Sequence, residues 1–418
     1  MSEKKECFDR CIVVKFGGSS LADDPRIFRA AKAVAKEAAK GTRVVVVVSA
    51  MGKTTDFLME TSRRACGGSA SDEELDDILS MGERTSARIF STALKANKVK
   101  CRYLDPADPE WPIITDRTFT NAKPILPICE KLIRKYVSPL LEHENVVIVP
   151  GFIGKTEEGK ITTMGRGGSD TTALIVARAL SVDQVILVTD VDGIMTGDPK
   201  IIKSPKMLKD VDVNTLIGLA DSGAKFIHQK ALKYKDPAIE IKVINQALGD
   251  LESEGTIVHG AILNDLIVEA AYPSPAMSVT IVGDAISEAP EILQEVFQRI
   301  KEAEVPTLGV SINHNSLILY LPENGENSLL EAMHSIVTSH GQTLALAVRK
   351  NLAFIRVKGT RLEETPGIIS RIAEALFSGG INIFGIFTIT SSVSVFVDLN
   401  DREKATELIQ KSIKGSRG

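Results

Sequence analysis

An arginine, a serine and an aspartate stand among three glycines in residues 162–173, TTMGRGGSDTTA, directly ahead of an apolar run, ALIVARAL, at 173–180. A loop with so few side chains lets backbone N–H groups approach an anion closely. A helix beginning after it would add its positive N-terminal end. Arg166 can grip a carboxylate or a phosphate through two parallel hydrogen bonds. A loop needed only for flexibility has no use for Arg166, Ser169 and Asp170 so tightly set around Gly167, and the segment reads as an anion site.

Other clusters of this kind recur in the first half. KFGGSS (15–20) follows a strand-like run. Gly17, Gly18 and Ser19 suit a phosphate cradle, and Lys15 supplies a point charge. The lysine precedes the glycines, so this is not a Walker A loop. SAMGKTT (49–55) offers the hydroxyls of Ser49 and Thr55 to a polar ligand. SMGER (80–84) reads as preceding a helix, where Glu83 fits an ammonium partner or a first-turn acid equally. TDVDG (189–193) closes another strand and leads into GDPK (197–200). Asp190 and Asp192 suit a ribose hydroxyl, magnesium or a plain Asp-rich turn. SGAK (222–225) sets Lys225 beside a flexible turn.

The elements that must position these residues alternate. Residues 12–16 read as a short buried strand. Asp24-Pro25 then starts a helix, with an N-cap acid and proline at the first helical position, and Gly41 ends it. Valines 44–48 form a strand buried on both faces. Residues 146–149 and 184–188 add two more strands, each running into a loop bearing Gly or Asp. Strands alternating with helices predict a mainly parallel sheet sandwiched by helices, with ligands beyond the carboxyl ends of its strands.

The pattern changes near Gly255. A strand at 278–283, a helix over 292–300 and strands at 305–312 and 316–321 are followed by a second set: a strand at 353–359, a helix at 368–377, strands at 383–388 and 392–398, and a helix at 402–413. Gly283 and Gly359 stand 76 residues apart at equivalent points. This is a tandem repeat of ferredoxin-like βαββαβ modules. The second copy lacks a final strand, and residues 266–271 supply a spare one. The expected division is a catalytic domain at 11–260, a first module at 276–346, and a second at 347–418 completed by 266–271.

The 418 residues exceed one ordinary core. Composition is 44% hydrophobic and 25% charged, as in an ordinary globular protein. The formal net charge of −4 argues against nucleic acid held by broad electrostatics. The 5 cysteines are scattered without metal-ligand spacing and read as free thiols of a reducing compartment. Neither a signal peptide nor a membrane helix is expected, which points to the cytoplasm.

Taken together, KFGGSS, SAMGKTTD, SMGER, PGFIG, TTMGRGGSDTTA, TDVDGIMTGDP and SGAKFIH resemble, in this order, the aspartokinase family of the amino-acid kinase fold. The resemblance covers residues 11 to about 259, and the repeat resembles that family's C-terminal pair of ACT domains. GRGGSDTT together with KFGGSS separates aspartokinases from relatives acting on N-acetylglutamate, glutamate, carbamate or uridylate. The resemblance implies transfer of the ATP γ-phosphoryl group to the β-carboxylate of L-aspartate, giving 4-phospho-L-aspartate, the first step toward lysine, threonine and methionine. Magnesium would ride mainly on ATP phosphates and water, with no metal-ligand set in the protein.

By motif, the resemblance gives Lys15 the transferring phosphoryl group and Asp170 the organisation of that lysine. Arg166 and Glu83 would hold the α-carboxylate and α-ammonium of aspartate, assisted by Ser49 and Thr55, with Gly167 and Ser169 in the same loop. Gly17, Gly18 and Ser19 would line the phosphates. Thr189, Asp190, Gly197, Asp198, Pro199, Lys200 and Lys225 would bind the nucleotide. The second module keeps Thr365-Pro366-Gly367 at its strand-to-helix turn, a site for a lysine or threonine effector, whereas the first has Glu288-Ala-Pro290. ACT modules pair through sheet edges, which implies a homodimer or higher homo-oligomer. The chemistry is self-consistent, because a carboxylate acceptor is already ionised at pH 7 and needs no general base. Positioning and charge stabilisation are what remains, and His228 reads as structural. Two other readings stay open: a kinase for a different amino-acid carboxylate, and a catalytically silent, amino-acid-binding regulatory subunit.

Overall fold

The structure, a computed structural model, describes residues 10–197, 201–216, 227–260, 266–323, 327–359, 362, 367–389 and 392–414. Asp198, Pro199, Lys200, Lys225, Thr365 and Pro366 lie outside the described residues. The chain forms two compact units, Met1–Ile262 and Leu263–Gly418.

In the first unit the valine-rich strands build a parallel sheet. Its elements are β1 (Cys11–Phe16), α1 (Asp24–Ala38), β2 (Arg43–Val48), α2 (Thr54–Ala65), α3 (Asp72–Ala96), β3 (Cys101–Tyr103), α4 (Leu126–Leu132), α5 (Ser138–His143), β4 (Val146–Pro150), β5 (Ile153–Lys155), β6 (Ile161–Thr163), α6 (Gly168–Leu180), β7 (Gln184–Thr189), β8 (Asp210–Asp212), α7 (Gln229–Leu232), β9 (Glu240–Asn245) and β10 (Thr256–His259). The sheet runs β3-β4-β2-β1-β7-β9-β10-β8, and only the β9–β10 pairing is antiparallel. Side chains alternate between faces along each strand. Val13, Val45, Val47, Val149 and Leu187 enter one core with Ala173, Leu174 and Val176 of α6. Ile12, Val14, Val44, Val46 and Val48 enter the other with Ala31 and Val34 of α1 and Phe90 of α3. Because β1, β2, β4, β7 and β9 are mutually parallel, their carboxyl ends share one edge of the sheet, where ligands bind in such folds.

Two local expectations are corrected. Helix α1 is capped by Asp23, not Asp24: Asp23 is extended and accepts from Arg26 N at 3.0 Å, which places Asp24 in the first turn. SMGER does not precede a helix. A capping box of Ser71 and Glu74 starts α3 well upstream, so Glu83 sits in the middle of a 25-residue helix. Gly82 is kept there by crowding rather than by a turn, since a Cβ would lie 2.8 Å from the Ala50 Cβ.

The second unit holds β11 (Ile267–Ala270), β12 (Ala276–Gly283), α8 (Pro290–Glu302), β13 (Gly309–Asn313), β14 (Ser316–Pro322), α9 (Asn327–Ser339), β15 (Thr343–Lys358), α10 (Ile368–Ser378), β16 (Gly385–Ile389), β17 (Ser392–Asp398) and α11 (Arg402–Lys414). One seven-stranded sheet runs β13-β14-β12-β15-β17-β16, with β11 added beside β15. The 16-residue β15 serves both halves of the repeat: residues 343–352 pair with β12, and residues 352–358 pair with β17. Strand β11 pairs antiparallel with residues 355–358. Separate cores lie under α8 and α9 and under α10 and α11. Tyr320, Phe396 and Phe354 stack at 4.0 and 4.7 Å in a third cluster.

Candidate active site

The loops after β1 and β2 are fastened to each other before any functional side chain is added. Gly52 N donates to Gly18 O at 3.0 Å, and a Cβ on Gly18 would meet Ala50 O at 2.9 Å. Gly17 N donates to Val188 O at the end of β7. Arg26 donates to Ser19 O at 2.6 Å, and the Ser20 hydroxyl to Val188 O at 3.0 Å. The cradle is therefore rigid, and its small residues answer to close backbone approach.

Helix α6 begins against the end of β4, where a Cβ on Gly151 would lie 2.8 Å from the Ser169 Cβ. Gly167 is its N-cap, in the left-handed region at φ +79°, and a Cβ there would lie 2.4 Å from the His228 Cβ. Both facts exclude a side chain at this position. Among the described residues, no side chain caps the helix. Its first-turn amides thus form the kind of positive pocket that holds an anion.

Into this pocket comes Lys15 from β1, its Nζ 2.7 Å from Asp170 Oδ1, with side-chain exposures of 16% and 14%. The carboxylate sits in the first turn of α6, where the helix dipole favours it. Ser49 and Ser169 hydroxyls meet at 3.0 Å beside it.

Glu83 is the most unusual group. It is 3% exposed, and its Oε1 accepts from Ala50 N at 3.0 Å. Its Oε2 is buried and has no partner among the described residues. Burial pushes its pKa up to about 7. A buried carboxylate with one unpartnered oxygen retains the capacity to accept from a further donor or cation. Arg166 is exposed and makes no ion pair or hydrogen bond with the described residues.

Thr55 lies in the first turn of α2 and is half-buried. Thr189 ends β7 and donates to exposed Asp190 at 3.2 Å. Asp192 accepts from Asn245 at 2.6 Å, a tie between the loops after β7 and β9. Gly197 packs on Ile202, and among the described residues no hydrogen bond links it to the Lys15 cluster. Direct contacts therefore join Lys15 to Asp170, Ser49 to Ser169, Glu83 to the Ala50 loop, and the glycine cradle to both strands.

Sequence reading missed Asp76 and Lys230. Asp76 is fully buried and accepts from Thr120 N and Thr163 N, both at 2.8 Å. Lys230 donates to Met164 O at 2.8 Å. The Ser71–Glu74 capping box carried the signal for Asp76. It fixes α3, and Asp76 then falls seven residues before Glu83, two turns away on the same face.

Among the described residues, no three His, Cys, Asp or Glu side chains gather to hold a metal ion, and no helix is long and apolar enough to cross a membrane.

Residues 10–245 match the amino acid kinase family. The chain is 31% identical to the aspartokinase of Mycolicibacterium smegmatis over 96% of this chain and 95% of that protein. It is 30% identical to the aspartokinase of Geobacillus stearothermophilus over 96% of each. The solved aspartate kinase of Synechocystis superposes with a TM-score of 0.76 at 26% identity, covering 96% of this chain and 69% of that one. With the family match spanning more than half of the sequence and near-complete coverage of relatives at this identity, the chain belongs to the aspartokinases of the amino acid kinase family.

Proposed function

We propose that the chain transfers the γ-phosphoryl group of MgATP to the β-carboxylate of L-aspartate, forming 4-phospho-L-aspartate. The observation that carries this reading is the Lys15–Asp170 pair, 2.7 Å long, at the uncapped N-terminus of α6, on the same sheet edge as the glycine cradle. In the reaction the acceptor oxygen attacks phosphorus in line and ADP leaves. The nucleophile is already an anion, so no proton is moved. Lys15 stabilises the charge on the transferring group, and Asp170 holds the ammonium in place. Gly17, Gly18 and Ser19 give backbone amides to the phosphates. Magnesium arrives with ATP as part of the substrate.

Glu83 receives the α-ammonium on its open Oε2, and Arg166 takes the α-carboxylate. Ser49, Thr55, Gly167 and Ser169 line the space between the clamp and the phosphates. Thr189, Asp190, Gly197, Asp198, Pro199, Lys200 and Lys225 serve the nucleotide. The intact Lys15–Asp170 pair weighs against a catalytically silent subunit, which has no chemical use for it.

We also infer the division into a catalytic domain at 11–260 and two modules at 276–346 and 347–418, the second completed by residues 266–271. The pairing of β11 with β15 supports it. Strands β13 and β16 end the second unit's sheet among the described residues and are the edges through which two copies would associate. Lysine or threonine is the proposed feedback effector, bound at the Thr365-Pro366-Gly367 turn.

The test is direct. Purified protein consumes MgATP only when L-aspartate is present, and hydroxylamine traps the acyl phosphate as an aspartyl hydroxamate. Faster turnover with glutamate or N-acetylglutamate would overturn the substrate assignment.

A further inference from the structure

Asp76 does more than fill the core. Its Oδ2 accepts from Thr120 N and Thr163 N at 2.8 Å each, and its Oδ1 takes the Thr163 hydroxyl at 2.5 Å. One buried carboxylate therefore fastens two separate segments to α3. Thr120 sits at φ +63°, a left-handed conformation that a β-branched residue rarely adopts without external support. Thr163 is three residues before Arg166. The two segments meet at Gly165, where a Cβ would lie 3.1 Å from Thr120 O. Lys230, from α7, adds a second tether by donating to Met164 O at 2.8 Å and to Asn121 Oδ1 at 2.5 Å. On α3 itself, Asp76 is two turns before Glu83 and on the same face.

We propose that Asp76 is a positioning residue for the amino-acid pocket: by tying the 120 and 163 segments to the face of α3 that presents Glu83, it sets the spacing between Glu83 and Arg166. This rests on the reading that Glu83 and Arg166 clamp the two α-substituents of aspartate. Asparagine keeps one carbonyl oxygen for the two backbone N–H groups, but it turns an NH2 toward the Thr163 hydroxyl, reverses that bond and removes the charge that strengthens all three. The cost falls on the geometry of the clamp, and the phosphate cradle is held by other contacts.

The experiment is steady-state kinetics on the full chain, varying aspartate at saturating MgATP and then the reverse, with thermal unfolding alongside. Asp76→Asn is expected to raise the KM for aspartate at least tenfold and leave the KM for MgATP within twofold. Thr163→Val removes only the hydroxyl and gives a smaller rise of the same kind, which Thr163→Ser reverses. This pair carries the test if Asp76→Asn does not fold. Equal changes in both KM values, or a fall in kcat alone, would make Asp76 a fold anchor and end the proposal. Glu83→Gln and Arg166→Ala are measured in parallel. If neither alters the KM for aspartate, the clamp reading itself fails and takes the proposal with it; if both raise it and the Asp76 and Thr163 variants do not, only the proposal fails.

Discussion

Glu83 shows how a single residue's environment becomes a pH dependence. Burial raises its folded pKa from 4.5 to about 7, so the folded protein holds this proton where the unfolded chain has lost it. Stability from this group is therefore greatest below pH 4.5 and declines as pH rises toward 7, by on the order of 3 kcal/mol for a shift of this size. An ammonium on the open Oε2 favours the ionised form, so substrate binding and deprotonation are linked. At saturating MgATP, the KM for aspartate should fall up to tenfold per pH unit between pH 5.5 and 7 and then level off. The β-carboxylate of aspartate stays ionised throughout this range. Glu83→Gln should flatten the profile and raise the plateau. A wild-type KM that is constant from pH 5.5 to 8, or a Glu83→Gln profile that still slopes, would remove Glu83 from the ammonium site. At this scale the sequence was informative in part: glycine-rich loops singled out Lys15 with Asp170 and Ser49 with Ser169, which the structure brings into contact, whereas the residues around Glu83 left an ammonium partner and a first-turn acid equally open. Asp76 was only half legible: the Ser71–Glu74 capping box places it on α3, but its burial cannot be read from its residue type.

At the scale of elements, the helix that carries Glu83 was misread because its motif contains glycine. Gly82 suggests a break, yet α3 passes through it. Glycine interrupts a helix only weakly, at a cost of about 1 kcal/mol against alanine, and here packing demands it. Gly82→Ala tests which effect wins. Propensity alone predicts a gain in stability. The new Cβ would lie 2.8 Å from the Ala50 Cβ, however, closer than real carbons approach, and overpacking of this kind costs about 1–3 kcal/mol. The variant should therefore melt at a lower temperature. Its KM for aspartate should rise, because moving Ala50 stretches the 3.0 Å bond to Glu83 Oε1. Unfolding followed by circular dichroism decides it: a higher midpoint with unchanged KM would mean the 49–54 loop yields freely. The parallel strands, by contrast, were legible from continuous apolar runs, since a strand covered on both faces can carry no polar alternation.

For the whole molecule, the 76-residue recurrence was visible in the sequence, but the strand joining the two copies was not. The stretch from Leu344 to Asn351 is mostly exposed and lacks alternation, and Asn351 takes φ +58° inside the strand. Only pairing on both sides makes β15 continuous. The proposed feedback control would act at this scale, and the two turns differ physically. Gly367 begins α10 at φ +80°, and a Cβ there would meet nothing within 4 Å among the described residues. Its counterpart Ala289 is completely buried in the core under α8. Of these two positions, Gly367 leaves room for the proposed effector and Ala289 does not. The positive φ also dictates the substitution. Valine would strain the backbone by about 1–2 kcal/mol, confusing lost binding with lost stability, whereas asparagine tolerates the left-handed region. Gly367→Asn fills the open space while keeping the fold. It should retain wild-type kcat and lose inhibition by lysine or threonine, whichever inhibits the wild type. The lost coupling should be on the order of 1–3 kcal/mol, about 5- to 150-fold in apparent inhibition constant. Inhibition curves at fixed aspartate and MgATP, with equilibrium binding of the same amino acid, provide the measurement. Full inhibition of Gly367→Asn at the wild-type concentration would move the effector away from this turn.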